Sequence, residues 1–228
     1  MPAASPAAPS RGRPAGSRGS DLLGVARDVF LTQQYAGATM DLVAARARIS
    51  KQTLYRQYPS KEELYSAVVR DWVDRGRDAM TPHLRALMQT DDIRHALLEF
   101  ARVLHEGVLS SPVLQMRRLV AAEAERFPAV AADYVTRSWD RNEALLAEAF
   151  ERLHARGLLS VDTPKVASEH FTWLTLAAPL NRLTLTAGAA TYPPDELEEI
   201  AREAVTTFLD RYGVDDEASA HQGTSPRR

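Results

Sequence analysis

The residues that decide the fold are 39–61, with the sequence TMDLVAARARISKQTLYRQYPSK. Their pattern predicts two short helices joined by a tight turn, and Pro59 closes the second helix. Thr39 or Asp41 can cap the first helix and Ser50 the second. A short side-chain oxygen at these positions accepts hydrogen bonds from the free N–H groups of a helix start. The apolar residues that would pack the two helices together are Leu42, Val43, Ala47, Ile49 and Leu54.

Four polar side chains share one side of the second predicted helix. At about 100° per residue, they fall in one outward arc away from Leu54. They are Lys51, Gln52, Tyr55 and Arg56. Such a face suits a DNA major groove, since Arg and Lys can bind guanine, Gln can bind adenine, and all of them can contact phosphate. An ordinary solvent-exposed helix turn has the same pattern, so spacing alone leaves both interpretations open.

Two segments resemble a known DNA-binding motif. TMDLVA at residues 39–44 and ISKQTLYRQYPSKEEL at residues 49–64 are similar to the helix-turn-helix of TetR/AcrR-type repressors. With the preceding helix, the resemblance covers about residues 21–70. It implies that the polar arc faces the bases and that the other motif residues mostly hold the DNA backbone. The residues expected at the DNA are Thr39, Arg48, Lys51, Gln52, Thr53, Tyr55, Arg56, Tyr58 and Lys61.

The chain departs from the family pattern at two turns. The family usually has glycine just after the first helix and glycine between the two motif helices, where this chain has Gln34 and Arg48. A non-glycine residue with positive φ costs on the order of 1 kcal/mol. Either Arg48 tolerates a left-handed turn and adds a phosphate contact, or the turn is remodelled. The alternative function is a helical ligand-binding or scaffold protein whose DNA-binding motif has degenerated.

The composition predicts an all-α protein. Apolar residues make up 45% of the 228 residues, and the helix-favouring Ala, Leu, Arg and Glu are abundant. We predict a three-helix helix-turn-helix DNA-binding domain followed by a helical ligand-binding and dimerisation domain. The predicted ranges are a disordered basic tail at 1–20, the DNA-binding domain at 21–80, the ligand-binding and dimerisation domain at 81–213, and a disordered tail at 214–228. Arg11, Arg13 and Arg18 of the first tail can follow a DNA backbone or reach a minor groove, unless the tail is inert.

Cysteine content and hydropathy restrict the function classes. The chain contains no cysteine, which excludes disulfides, thiolate nucleophiles and cysteine-based zinc sites. The first ten residues, MPAASPAAPS, lack the apolar core of a signal peptide. The longest apolar-leaning run, residues 171–180, is too short to span a bilayer. We therefore expect a cytoplasmic protein without a membrane span.

Charge is distributed unevenly along the chain. Residues 1–61 contain nine Lys or Arg and three acidic residues, a net charge of +6, whereas the remaining residues carry 19 basic and 27 acidic residues, or −8. A positive end next to a negative remainder favours one DNA-binding end, although clustering by chance would give the same pattern.

The C-terminal half shows a second resemblance. RLVAAEAERFP at residues 118–128 resembles the C-terminal domain of AefR-like members of the same family, and the similarity extends to about residue 188. A helix near 164–186 is apolar around its whole circumference, which favours burial on more than one side. Related repressors pair their last two helices into a dimer, so we expect a homodimer through helices near 164–186 and 195–212. Two reading helices would then bind a palindromic double-stranded DNA operator.

The resemblance also implies a cavity for a small-molecule effector among the middle helices. Large side chains on inward faces are its candidate lining, and His105 and Glu123 are candidate polar anchors in an otherwise apolar pocket. For any single one of these residues, ordinary core packing is the better explanation. The candidates are Phe100, Leu104, His105, Met116, Val120, Glu123, Phe127, Trp139 and Trp173.

Motifs for catalysis or metal binding are weak. Glu151 and His154 form half of a di-metal bundle motif, but the sequence has no second Glu-x-x-His. It also has no Gly-rich phosphate loop, nucleophile elbow or HExxH motif. We therefore predict a transcriptional regulator, more specifically a repressor, with no enzyme activity, no cofactor and no metal.

Overall fold

The computed structural model of the chain describes residues 19–214, and these are helical apart from short turns and one isolated antiparallel bridge between Leu159 and Gly213. The predicted all-α fold is therefore confirmed. The disordered tails predicted at 1–20 and 214–228, and the basic residues of the first tail, lie almost entirely outside the described residues. Along the chain, the fold divides into two compact units between Val68 and Val69.

The N-terminal unit consists of three helices and the first half of a fourth. They are α1 (Gly19–Gly37), α2 (Met40–Arg46), α3 (Lys51–Gln57) and α4 (Lys61–Gly76). Its core contains an apolar stripe of α1 with the i, i+3, i+4 spacing of an amphipathic helix, in which Ala26, Val29 and Phe30 are fully buried. Phe30 stacks on Tyr35 at 5.9 Å between ring centroids, and the edge of Tyr65 meets both rings. This aromatic cluster fixes α1 against α4 and so braces the two short helices between them.

Gln34 interrupts α1 near its C-terminal end. Its φ of 56° and ψ of 171° are not helical. This region of backbone space is accessible essentially only to glycine, and any other residue held there carries roughly 1–3 kcal/mol of strain. The structure therefore keeps the backbone conformation for which related proteins use glycine, although the residue here is glutamine.

The C-terminal unit contains the second half of α4 and seven further helices. They are α5 (Thr81–Gln89), α6 (Ile93–Val108), α7 (Ser111–Ala122), α8 (Pro128–Val135), α9 (Arg141–Ala155), α10 (Pro164–Leu185) and α11 (Pro194–Tyr212), with a π-helical turn at Thr136–Asp140. Four phenylalanines from four helices meet at its centre, with ring centroids 5.0–6.0 Å apart. They are Phe100, Phe150, Phe171 and Phe208. No helix within residues 19–214 is long and apolar enough to cross a membrane.

The sequence predicts one long helix at about 130–156, but the structure divides it into α8 and α9 at the π-helical turn Thr136–Asp140. Trp139 of this turn stacks on Trp173 of α10, with the rings 5.7 Å apart and tilted by 3°. The guanidinium of Arg117 lies over the Trp139 ring, 5.3 Å from its centroid. The wider turn places Trp139 at α10, where stacking and cation–π attraction hold it.

Pro179 lies inside α10 and changes its hydrogen bonding. In an α-helix the carbonyl of Thr175 would accept from the N–H of residue 179, but proline has no N–H. The Nε2 of His105, from α6, lies 2.9 Å from that carbonyl. Because a carbonyl only accepts, Nε2 must carry the hydrogen, and His105 thus replaces the bond that the proline removes.

Candidate nucleic-acid interface

Side-chain caps position both helices of the predicted DNA-binding motif. Thr39 is extended, with φ −126° and ψ 149°, and its hydroxyl accepts from the N–H of Leu42 at 3.1 Å. Ser50 caps α3 in the same way and accepts from the N–H of Thr53 at 3.0 Å, while the two hydroxyls lie 2.8 Å apart. The predicted caps are therefore present. Thr39 and Thr53 therefore both have a structural role in the motif.

The turn between α2 and α3 is left-handed at Arg48, with φ 55°. The N–H of Arg48 donates to the carbonyl of Ala45, and the N–H of Ile49 donates to that of Ala44. These two bonds form a Schellman motif, which ordinarily has glycine at the left-handed position. Arg48 thus adopts the glycine conformation without remodelling the turn, and its side chain remains exposed.

Glycine substitutions at Gln34 and at Arg48 should change the free energy of unfolding by different amounts. Gln34→Gly is expected to raise the free energy of unfolding by about 1 kcal/mol, because the strain it relieves exceeds the roughly 0.5–1 kcal/mol that glycine's added freedom costs. Arg48→Gly is the matched control and is expected to be nearly neutral, since the ordinary left-handed region costs only about 1 kcal/mol. Urea unfolding of both variants measures the difference. Destabilisation by Gln34→Gly would contradict the strain assigned to it.

The predicted polar arc is present on α3. Leu54 is fully buried under the helix, whereas all four arc residues are exposed, including Tyr55 with 46% of its surface accessible. Among the described residues, no hydrogen bond or ion pair engages the side chains of Gln52, Tyr55 or Arg56. An exposed phenol ring beside an amide and a guanidinium offers both apolar contact and hydrogen bonds to base edges.

Lys51 has a partner that the sequence did not indicate. Its Nζ forms an ion pair with the carboxylate of Asp41, which lies in the first turn of α2. Both side chains are more than half exposed, so solvent screens the pair and its net contribution to stability is small. The pair holds the amine beside the exposed polar arc of α3.

Lys61 and Tyr58 connect the motif to the rest of the unit. Tyr58 ends α3, and its N–H donates to the carbonyl of Leu54 at 2.8 Å. Lys61 donates to the carbonyls of Tyr35 and Ala38 at 2.8 and 2.9 Å, and its Nζ lies 4.2 Å from the centre of the Tyr35 ring. These contacts give Lys61 a structural role at the end of α1, in addition to the phosphate contact predicted for it.

Replacing Lys61 separates these two roles. Lys61→Ala is expected to lower the free energy of unfolding by roughly 1–3 kcal/mol, because two carbonyls lose a charged donor. If Lys61 also contacts phosphate, the variant should bind all DNA sequences less tightly, and its salt slope should fall by about 1. Urea unfolding measures the first effect, and DNA titration at several salt concentrations measures the second. Unchanged stability would contradict the structural role, and an unchanged slope would contradict the phosphate contact.

The nine candidate effector residues occupy different environments in the C-terminal unit. Phe100, Leu104, Met116 and Val120 are buried, and Phe100 lies in the phenylalanine cluster. Glu123, Phe127 and Trp139 are partly buried, and Trp173 is exposed. His105 is buried and also lines a cavity beside α7, where Arg118 is a further lining residue that the sequence did not single out.

Within residues 19–214, no group of three or more His, Asp and Glu side chains is arranged to hold a metal ion. Glu151 is exposed, and the Nδ1 of His154 lies 3.1 Å from the carbonyl oxygen of Leu159 and 3.2 Å from the backbone nitrogen of Val161. His154 thus contacts the backbone of the segment that follows α9.

The chain matches two families of bacterial regulators. Residues 22–68 match the family described as Bacterial regulatory proteins, tetR family, and residues 95–214 match the AefR-like transcriptional repressor, C-terminal domain. The first match contains the helix-turn-helix described above. The second covers most of the C-terminal unit.

Individual relatives agree with these family matches. The chain is 39% identical over 84 residues to the HTH-type transcriptional activator FasR of Mycolicibacterium smegmatis, a match that covers 37% of either chain. It is 30% identical over 154 residues to an HTH-type transcriptional regulator of Mycobacterium bovis, covering 67% of this chain and 70% of that protein.

Solved structures show the same architecture. A TetR-family regulator from Mesorhizobium loti superposes with a TM-score of 0.81 at 29% identity, covering 86% of this chain and 96% of the other. The flavonoid-responsive regulator FrrA superposes with a TM-score of 0.65 at 26% identity, covering 85% and 96%. With its capped helix-turn-helix, its helical C-terminal unit and its matches to both families, the chain belongs to the TetR family of transcriptional regulators and has an AefR-like C-terminal domain.

Proposed function

We propose that the protein is a repressor that binds a palindromic operator as a homodimer and leaves it when a small molecule binds. The observation that carries the proposal is the exposed polar face of α3, opposite the buried Leu54 and held by side-chain caps at both motif helices. Lys51, Gln52, Tyr55 and Arg56 would face the bases. Thr39, Arg48, Thr53, Tyr58 and Lys61 would mostly position the backbone of the DNA.

An exposed apolar stripe on α10 supports the homodimer. Val166, Trp173, Leu174 and Leu185 are 39%, 45%, 42% and 76% exposed, although all are large apolar residues. Their spacing places them along one side of the helix. A second copy would bury this stripe together with α11, and the two α3 helices would then bind successive major grooves of one operator.

The proposal of repression rather than activation rests on the family that residues 95–214 match. The matching family is described as a repressor domain, so we propose repression, with activation as the alternative because FasR is named an activator. Release by an effector follows from linkage. A molecule that binds the DNA-free form more tightly must weaken operator binding by the same factor by which DNA weakens effector binding. FrrA is named flavonoid-responsive, and a molecule of that kind is a candidate effector for this chain.

Recovery of genomic DNA by the purified protein tests the proposal. Sheared genomic fragments are incubated with the full chain, recovered and sequenced, with Lys51→Ala, Tyr55→Ala as the control protein. We expect a shared palindromic site that the control does not enrich, and higher expression of the adjoining gene when the regulator is deleted. Recovery of unrelated fragments would favour the degenerate scaffold alternative, and lower expression after deletion would replace repression with activation.

A further inference from the structure

A cavity of about 550 Å³ lies among α6, α7, the end of α10 and the segment before α11. Its volume falls in the range of small-molecule sites, roughly 300–1,000 Å³. Its apolar lining comes from Leu109, Leu114, Leu183 and Leu197, and the Tyr192 ring adds a flat surface. Polar side chains make up about half of the lining, Glu106 and Arg118 among them, so the site offers an apolar wall beside several polar groups to an organic ligand.

His105 supplies the most unusual polar group of this cavity. It is only 5% exposed, and its Nε2–H is committed to the Thr175 carbonyl that Pro179 leaves without a helical donor. In the neutral ring Nδ1 is therefore an acceptor. No donor among residues 19–214 uses this nitrogen, and His105 lines the cavity. A molecule bound against Nδ1 would meet an acceptor whose tautomer the fold has already fixed.

The protonation state of His105 suits this role. Burial lowers the pKa of the imidazole below its ordinary value of 6.5, and this effect outweighs the opposing influence of the bond to Thr175 and of the Glu198 carboxylate. The ring is therefore neutral near neutral pH and keeps its Nδ1 lone pair.

Arg118 provides donors on the same cavity. Its guanidinium has five N–H groups, and its only described bond is a long one of 3.4 Å to the carbonyl of Leu183. Gln115 also lines the cavity, and its amide donates to the hydroxyl of Ser111. The cavity thus combines an acceptor on α6 with donors on α7.

We propose that this cavity is the effector site, and that it takes a small apolar molecule whose hydroxyl donates to His105 Nδ1 and whose second oxygen accepts from Arg118. The proposal rests on the proposed function, because it names the site and chemical class of the effector. A donor on Nδ1 polarises the imidazole and strengthens its bond to Thr175, since hydrogen bonds in a chain reinforce one another. Ligand binding therefore changes the hydrogen bonding at the proline break of α10, the helix that carries the exposed apolar stripe.

The test uses two probes that differ by one hydroxyl group. 4-Hydroxychalcone and chalcone share an apolar body and a carbonyl oxygen, and only the first can donate to Nδ1. Binding of each to the full chain is measured by calorimetry without DNA. We expect wild type to bind 4-hydroxychalcone at least about tenfold more tightly than chalcone, as one buried hydrogen bond implies. Absence of that preference, or of any binding, would overturn the proposal.

Variants at Pro179 make the test specific to His105. Pro179→Ala restores a backbone donor for the Thr175 carbonyl, so the double variant Pro179→Ala, His105→Phe lacks the Nδ1 acceptor without leaving that carbonyl unsatisfied. Pro179→Ala alone should keep the tenfold preference, and the double variant should lose it. The ¹⁵N resonance of His105 Nδ1 should also shift with 4-hydroxychalcone and not with chalcone. An equal preference in both variants would overturn the assignment of His105.

Measurements of operator binding distinguish a failure of the effector-site proposal from a failure of the proposed function. In wild type, 4-hydroxychalcone should lower operator affinity more than chalcone does, and probe binding without any effect on DNA would exclude an effector role for the cavity. A protein that binds its operator but shows no hydroxyl preference would overturn the effector assignment alone. Failure to bind any operator would overturn the proposed function, whatever the probes do.

Discussion

Replacing Lys51 and Tyr55 together with alanine is expected to abolish operator binding while the fold remains intact. Each side chain is exposed on the α3 face, and a good contact to a base edge contributes about 1–3 kcal/mol. Loss of both should therefore weaken binding by roughly 100-fold or more. A gel-shift titration at fixed salt measures this loss, and a thermal unfolding curve like that of wild type shows that the helix is still folded.

One variant controls for the loss of charge, and a second should change operator affinity in the opposite direction. Lys165→Ala removes the same charge from α10 and should leave operator affinity unchanged. Asp41→Asn should tighten binding several-fold, because it releases Lys51 from its ion pair and removes a negative charge near the reading face. Unchanged affinity of the double variant, or weaker binding by Asp41→Asn, would contradict the assignment of α3 as the reading helix.

The largest effect on stability is expected at His105. His105→Phe leaves the Thr175 carbonyl buried without a donor, which costs roughly 1–3 kcal/mol, and misfit of the new ring adds to this. The same substitution should cost about 1–2 kcal/mol less in a Pro179→Ala protein, where the introduced backbone N–H replaces the imidazole. Urea unfolding of wild type, both single variants and the double variant gives this coupling. Additive effects would show that His105 does not replace the missing helix bond.

The same histidine makes stability depend on pH. Its pKa is lowered in the folded protein, so below about pH 6.5 the unfolded chain binds the proton more readily than the folded one. Stability should therefore fall as the pH decreases from 6.5 towards 5. In His105→Gln, whose amide can still donate to Thr175, this decrease should be smaller. An equally steep decrease in the variant would assign the effect to other groups.

The sequence was most informative where local chemistry decides the structure. The caps at Thr39 and Ser50, the buried Leu54 and the exposed arc of α3 follow from spacing within one short segment, and the structure contains all of them. The left-handed Arg48 was left open by the sequence, because the cost of a non-glycine turn does not reveal whether the surrounding bonds compensate for it.

Contacts between residues far apart in the chain could not be predicted from sequence patterns. The π-helical turn at Thr136–Asp140 keeps the apolar periodicity of an ordinary helix, so one long helix was predicted there. The bond between His105 and Thr175 joins residues 70 positions apart, and Pro179 signals only that a carbonyl needs another donor. Periodicity likewise identifies buried side chains without distinguishing core from the lining of a cavity, which explains the scattered environments of the candidate effector residues.

Increasing the spacing between the two half-sites of the recovered operator tests most directly the claim that a dimer binds both of them with its α3 helices. If a two-fold dimer binds successive major grooves with its two α3 helices, inserting five base pairs between the half-sites rotates one of them by about half a helical turn. Gel-shift titration should then show affinity reduced to that of a single half-site. Unchanged affinity for the spaced operator would contradict a dimer that reads both half-sites together.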